Sequence, residues 1–340
     1  MQIKDVWYFN CKQVKDDFIQ PDFFEPSSHI GLYCELDKLT YPLKVSVSGY
    51  FNDTLIFGKD IEISGEEQTE GAYVKVSGKA VLIKIGASED CCPDRIRASC
   101  ISGAERGELD KKCEYSILSG KVTDFDGKPF PSAVILYRYN FGEGQFLIGA
   151  WTDRNGCYTL KVPSGLYNAF YADDDSYGKG SLECWGWHII ADRDERLDIK
   201  IGSGEVYSLS VFTDNGGFSN LFLAFRPMVY YKKDEYRLSI GNGSFNVTDI
   251  APELEAEDIA VTVNGEKCTV ISAQRIYETA DNGYAMPMYI VQAAKPVNVD
   301  LSDKQTVTLE YDTRDKFPDR AASFGFTQFY YKDAFALGLK

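Results

Sequence analysis

Residues 116–201 form a compact run of predicted strands and tight turns with Gly, Pro and Asp placed as a small β-sandwich needs them, and no other stretch constrains the chain as much. Ser119-Gly120-Lys121-Val122 opens the run, and Asp126-Gly127-Lys128-Pro129 leads into the apolar stretch Ala133-Val134-Ile135-Leu136. Thr152-Asp153 and Asn155-Gly156 precede Cys157-Tyr158-Thr159-Leu160. Pro163-Ser164-Gly165-Leu166-Tyr167 follows, and the alternating Leu197-Asp198-Ile199-Lys200-Ile201 closes the run. Asp-Gly and Asn-Gly suit the positive φ of a tight turn. Both are flanked here by residues of high β propensity, which predicts a hairpin at each. Pro129 and Pro131 have no N–H to give to a ladder, so the segment around them is predicted to stay out of a central strand.

This order of strand, Asp-Gly-Lys-Pro, strand, Thr-Asp-x-Asn-Gly, strand, Pro-x-Gly-x-Tyr and strand resembles the carboxypeptidase regulatory-like domains. The resemblance implies a transthyretin-like β-sandwich. That family is an accessory module found beside many unrelated activities, so it implies an architecture and leaves function open.

The rest of the chain reads as strands too. Its 340 residues are 44% hydrophobic, enough for two or three packed domains. Tyr (22) and Phe (21) far outnumber Met (4), which favours pleated surfaces, and no long window carries a helical stripe. Residues 1–115 alternate with period two in Leu43–Tyr50, Ile61–Ile63, Ala72–Val76 and Ala80–Ile85, as expected of a sandwich or jelly-roll with one wet face. Residues 203–340 begin with Val206–Val211 and a turn at Asn215-Gly216-Gly217. They continue with a hairpin tipped by Asn264-Gly265 and strands at Val297–Leu301 and Val307–Tyr311. Val261-Thr262-Val263-Asn264-Gly265-Glu266-Lys267 resembles the early strands of bacterial immunoglobulin-like domains. The tail Phe324–Tyr331 alternates poorly, and is expected to pack back on its own domain or to add a strand to a partner. The expectation is therefore an all-β chain of three packed β-sandwich modules in series: 1–115, a carboxypeptidase regulatory-like 116–202, and an immunoglobulin-like 203–340.

Charge and targeting signals narrow the partners. A net charge of -15 repels phosphate backbones and anionic lipid surfaces, which argues against nucleic acid and membrane. No apolar run approaches a bilayer span, and Met1–Tyr8 has no signal-peptide h-region. The chain is expected in the cytoplasm or in an assembled particle. Without export, the nine cysteines are expected to be reduced, and the sequons at Asn52, Asn242 and Asn246 are chance matches.

The search for catalytic motifs is mostly negative. No Gly-x-Ser-x-Gly, phosphate-cradling loop or His-Glu-x-x-His occurs, and two histidines, His29 and His188, nearly exclude a triad or multi-histidine metal site. No cofactor is expected. Cys91, Cys92, Cys100 and Cys113 are close in sequence. They lack zinc-ligand spacing and read first as reduced loop and core residues, with zinc or a disulfide as alternatives. Asp173-Asp174-Asp175 offers three hard oxygen ligands for Ca²⁺ but lacks the spacing of a calcium loop. A solvated acidic turn is the plainer reading. Asp192-Arg193-Asp194-Glu195-Arg196 is expected to be another exposed turn. In Cys184–Ile190, an extended strand puts Trp185, Trp187 and Ile189 on one face; with Tyr171 and Tyr177 the indoles form either a sugar-stacking platform or an inter-domain packing contact.

Together these features point to a non-catalytic binding or structural subunit that contacts proteins, copies of itself or glycans in a larger assembly. The alternative is a carbohydrate-active enzyme, or its required accessory subunit, with carboxylate and tyrosine chemistry at a domain junction.

Overall fold

The computed structural model describes residues 2–13, 25–35, 41–65, 72–74, 80–84, 92–140, 144–174, 177–213, 220–300, 302–316 and 321–330. The protein is all β, with several sheets; among the described residues the helical structure is one 3-10 turn, Ala256–Asp258. The turn expected at Asn215-Gly216-Gly217, together with Cys91 and Asp175, lies outside the described residues.

The first region holds two four-stranded sheets. One runs Gln2–Gln13, Glu25–Glu35, Ala80–Lys84, Ala72–Val74, and the other Thr54–Ile63, Leu43–Phe51, Arg95–Ser102, Glu105–Lys112. Leu43, Val45 and Val47 point inward against Ile3, Val6, Ile96 and Cys100, while Lys44 and Ser46 between them are exposed. One face is dry and one wet, as the alternation requires.

In the middle region Tyr115–Thr123 pairs with Cys157–Pro163 and, in parallel, with Glu195–Arg196 and Ile199–Lys200. This sheet packs on Gly144–Trp151, Ala133–Asn140, Gly165–Asp173 and Cys184–Ala191 around Leu118, Val134, Leu136, Leu160 and Phe170. Leu197, Ile199 and Ile201 all face this core. The two predicted hairpins are not hairpins. Each turn joins strands of different sheets, so the chain crosses the sandwich there. The reason is local: the Asp124 carboxylate accepts the N–H groups of Asp126 and Lys128 (2.9 and 2.8 Å), and Asp153 those of Asn155 and Cys157 (2.8 and 2.9 Å). These carboxylates close Asx-type loops wider than a two-residue hairpin turn. Gly127 and Gly156 take φ of 81° and 77°, as the dipeptides suggested.

The last region is one long rolled sheet. From its far end the strands run Gly204–Phe212, Asn220–Val229, Tyr284–Ala294, Glu266–Thr279, Ile259–Val263, Lys304–Asp312 and Ala322–Tyr330. The hairpin at Asn264-Gly265 is present, with Val263 opposite Glu266 and both tip residues at positive φ. No strand forms at Val297–Asp300. Val297 is 97% exposed, and Asp300 turns the chain by accepting the Ser302 N–H. The roll brings Gly204–Phe212 back against Cys184–Ala191 and Ala322–Tyr330.

Ala322–Tyr330, the closing strand, pairs antiparallel with Lys304–Asp312 and parallel with the middle region's Cys184–Ala191, so one continuous ladder runs from the middle region into the last. Phe324 and Phe326 enter the middle core, while Gly325 approaches Val206 and Phe329 packs with the last region's core. Burial on both faces explains why this segment does not alternate. A Cβ on Gly186, directly opposite Phe326, would fall inside the Phe326 ring. The glycine between the tryptophans thus admits an aromatic ring.

A buried charge network reinforces the junction. The Lys304 ammonium, 4% exposed, donates to the Ile190 carbonyl (2.8 Å), Asp192 (2.9 Å) and Glu195 (2.8 Å). Glu195 also accepts from Gln328, whose own Oε1 takes the Ile190 N–H (2.8 Å). The acidic run at 192–196 is therefore only partly a solvated turn, because two of its carboxylates converge on a lysine from the last region. Phe326→Ala is expected to cost about 3–5 kcal/mol, read as a shift in the urea midpoint. It should raise hydrogen exchange in Tyr115–Thr123 and Gly165–Asp173 as well as in the closing strand.

Candidate functional site

Three segments in or next to strands each carry an acidic and an aromatic residue two positions apart: Tyr171-Ala172-Asp173, Glu183-Cys184-Trp185 and Glu205-Val206-Tyr207. In extended backbone such pairs share a face. The first two segments are neighbours in the middle sheet, and the roll of the last sheet lays the third against them. The result is one cluster of rings and carboxylates outside the middle sandwich core.

The rings pack tightly. Trp185 stacks on Trp187 at 5.2 Å and on Tyr137 at 5.9 Å, with interplanar angles of 14° and 28°. Tyr171 meets Trp185 edge-on at 4.9 Å, and Tyr207 stands edge-on to Trp185 at 5.7 Å and to Trp187 at 5.3 Å. Of the predicted residues, the structure brings Trp185, Trp187 and Tyr171 together. Tyr177 is 52% exposed and sits at the rim, where burial and the charges of Glu183, Glu205 and Asp173 push its hydroxyl up to about 12. Ile189 does not share the tryptophan face. His188 adopts φ of 54°, the strand reverses its sidedness there, and Ile189 joins Cys184 in the middle core.

Asp173 and Glu205 are buried beside the rings, and Glu183 is half-buried. Glu183 accepts from the Trp185 indole N–H (3.1 Å) and the Tyr171 hydroxyl (3.3 Å), which also reaches Asp173 at 3.2 Å. Glu205, 1% exposed, shares a hydrogen bond with Glu183. Burial, followed by mutual repulsion, raises the pKa of Glu205; burial also raises that of Glu183 and lifts Asp173 to about 7. One oxygen each of Asp173 and Glu205 and the Trp187 indole nitrogen are buried without a hydrogen-bond partner.

The proposed calcium loop takes another form. Asp173 belongs to this cluster, while Asp174 accepts from the Ser181 hydroxyl at 3.3 Å. Among the described residues no three His, Cys, Asp or Glu side chains are grouped to hold a metal. Cys100 lies in the first region's core with Cys92 and Cys113 packed against it, and burial pushes the Cys113 thiol up to about 11. A thiol held protonated is a poor ligand and nucleophile.

Tyr137, Glu183, Glu205 and Tyr207 were not singled out from sequence. The repeated acid-x-aromatic spacing was the available signal, though nothing local says that Gly204–Phe212 folds back onto Cys184–Ala191.

An acid whose folded pKa is raised keeps its proton in the folded state after the unfolded chain has released it. The stability this provides is complete below the unfolded value near 4 and is lost as pH rises through the folded value. Stability is therefore expected to fall from about pH 4 to beyond the Asp173 value of about 7. Glu205→Gln, a neutral isostere, should melt close to wild type at pH 4.5 and above it at pH 8. Parallel pH profiles for the two proteins would contradict the buried-acid assignment.

No protein-family model and no curated relative matches the chain. Among solved structures, extracellular domains 3–5 of Drosophila OTK align over 88% of this chain and 91% of that one, at 9% identity and a TM-score of 0.14. That score carries no argument about function.

Proposed function

We propose that the protein is a non-catalytic structural or binding component of a larger assembly, working through protein contacts. The supporting observation is that the acidic and aromatic cluster, where unusual chemistry is concentrated, is packed as a joint where Gly204–Phe212 rolls back onto the middle region. Glu205 is 1% exposed and in hydrogen-bond contact with Glu183. Paired carboxylates that cleave glycosides stand roughly 5–9 Å apart around an accessible sugar. Trp185 has four aromatic neighbours, whereas a sugar platform needs an open ring face.

Within this reading, residues 116–202 serve as a carboxypeptidase regulatory-like module and 203–340 as an immunoglobulin-like one, supported by the two-sheet sandwich of the former and the Asn264-Gly265 hairpin of the latter. Among the described residues, no helix is long and apolar enough to cross a membrane.

Two measurements test the proposal. In extract from its native source, the 38.2 kDa chain should sediment with a particle several times its own mass, and migration as a lone monomer would count against an assembly role. Trp185→Ala should lower stability by about 3–5 kcal/mol. A variant that melts like wild type but loses retention on a glycan array would instead establish the sugar platform.

A further inference from the structure

The strand Asp234–Ile240 lies at the margin of the rolled sheet. Among the described residues it pairs only with Gly243–Asp249, which continues onto Tyr284–Ala294 through Asn246 and Val247. Six of its seven residues are exposed and none is buried. Open edges of this length are normally covered, bulged or very short, because unpaired N–H and C=O groups template another strand.

The hairpin geometry determines which groups face outward. Gly241 and Asn242 form a two-residue turn closed by Ile240 opposite Gly243, and Gly241 takes φ of 57°. In such a turn the closing pair exchanges hydrogen bonds, and every second pair after it does the same. Leu238, Tyr236 and Asp234 thus direct their backbone groups to Gly243–Asp249. Glu235, Arg237 and Ser239 direct theirs to the open edge.

The charges on that edge are antisymmetric about Tyr236, with Glu235 on one side and Arg237 on the other. A second, antiparallel copy reverses the order. With Tyr236 facing Tyr236 across a twofold axis, Glu235 of each copy meets Arg237 of the other, and both residues direct their N–H and C=O groups to the open edge, as a hydrogen-bonded pair requires. Shifting the axis to Arg237 sets two arginines directly opposite, and shifting it to Glu235 does the same with two carboxylates. Like charges directly opposite destabilise a pair of strands. Among the described residues Arg237 has no carboxylate partner in its own chain, while Glu235 is held by Lys233 at 3.0 Å, both side chains exposed.

We propose that Asp234–Ile240 is a homotypic docking edge, on which a second copy of this chain adds antiparallel with Tyr236 at the twofold axis. The contact is isologous and closes at two copies, continuing the ladder across the axis. It rests on the reading of the protein as an assembly component and supplies that reading with one specific contact.

Charge reversal tests the contact and its register together. The full-length protein is examined by sedimentation velocity across micromolar concentrations, with reductant present so that the exposed Cys157 cannot crosslink copies. Wild type is expected to show a concentration-dependent dimer. Glu235→Arg or Arg237→Glu alone places like charges opposite one another twice, and should weaken dimerisation by about tenfold or more. The double variant Glu235→Arg/Arg237→Glu restores both attractions and should restore the dimer. Unchanged melting temperatures of the single variants establish that these exposed changes leave the fold intact. A wild-type monomer throughout, a single reversal that leaves the dimer untouched, or a double variant that stays monomeric each overturns the proposal. A wild-type monomer that still sediments within a large native particle would overturn only this contact and leave the assembly role standing.

Discussion

The parallel pairing of Ala322–Tyr330 with Cys184–Ala191 is the interaction on which the rest of the arrangement depends. It is a short ladder, with Trp185, Gly186 and Trp187 opposite Gly325, Phe326 and Thr327, yet it carries side chains into two cores at once. Phe326 fills space in the middle sandwich that no residue of the middle region occupies, and Gly186 lacks a Cβ so that the ring can lie there. Gly325 has the complementary role on the opposite face, where a Cβ would press on Val206. Each glycine admits a partner's side chain close to the backbone, and together they allow a strand to be dry on both faces.

Lys304 makes the register of this junction specific. A buried ammonium is costly unless fully paired, and removing one partner from such a group typically costs about 3–5 kcal/mol. Lys304 reaches a backbone carbonyl and two carboxylates of the middle region, and Gln328 completes the set by accepting the Ile190 N–H. A shift of one residue in the parallel pairing would leave an unpaired charge in the interior. Phe324 and Phe326 carry apolar rings into the middle core at the junction. The polar network excludes alternative registers, and the two contributions differ in kind.

Where the sequence was legible, neighbours along the chain determined the outcome. The alternation of Leu43, Val45 and Val47, the inward set Leu197, Ile199 and Ile201, and the Asn264-Gly265 turn follow from side-chain period and backbone preference alone. The readings that changed depended on distant residues. Asp126-Gly127 and Asn155-Gly156 do turn the chain, but the partner of each following strand is set elsewhere, so a turn signal could not separate a hairpin from a crossing. Val297–Asp300 has strand-like composition, yet Val297 is exposed and the segment forms a turn. Phe324–Tyr330 fails to alternate because two regions bury it. Trp185 and Trp187 are conspicuous in the sequence. Their meaning depended on Tyr137 and Tyr207, which lie 48 residues before Trp185 and 20 after Trp187, and on the reversal of sidedness at His188.

The joint and the open margin of the long sheet show how burial and exposure assign opposite roles to charge. At the joint, Glu183, Glu205 and Asp173 are withdrawn from water, so their charged forms are disfavoured and they hold the rings in place chiefly as neutral or proton-sharing groups. At the edge strand Asp234–Ile240, Lys233, Glu235 and Arg237 are exposed to water, where each pair is weak and the pattern of signs matters more than any single energy. A charged edge ordinarily discourages pairing with any strand. With signs arranged antisymmetrically about Tyr236, the same charges disfavour pairings centred on Glu235 or Arg237 and make the pairing centred on Tyr236 attractive. In an acidic protein of net charge -15 whose copies repel at a distance, selectivity of this kind comes from short-range sign matching, because the long-range field opposes association.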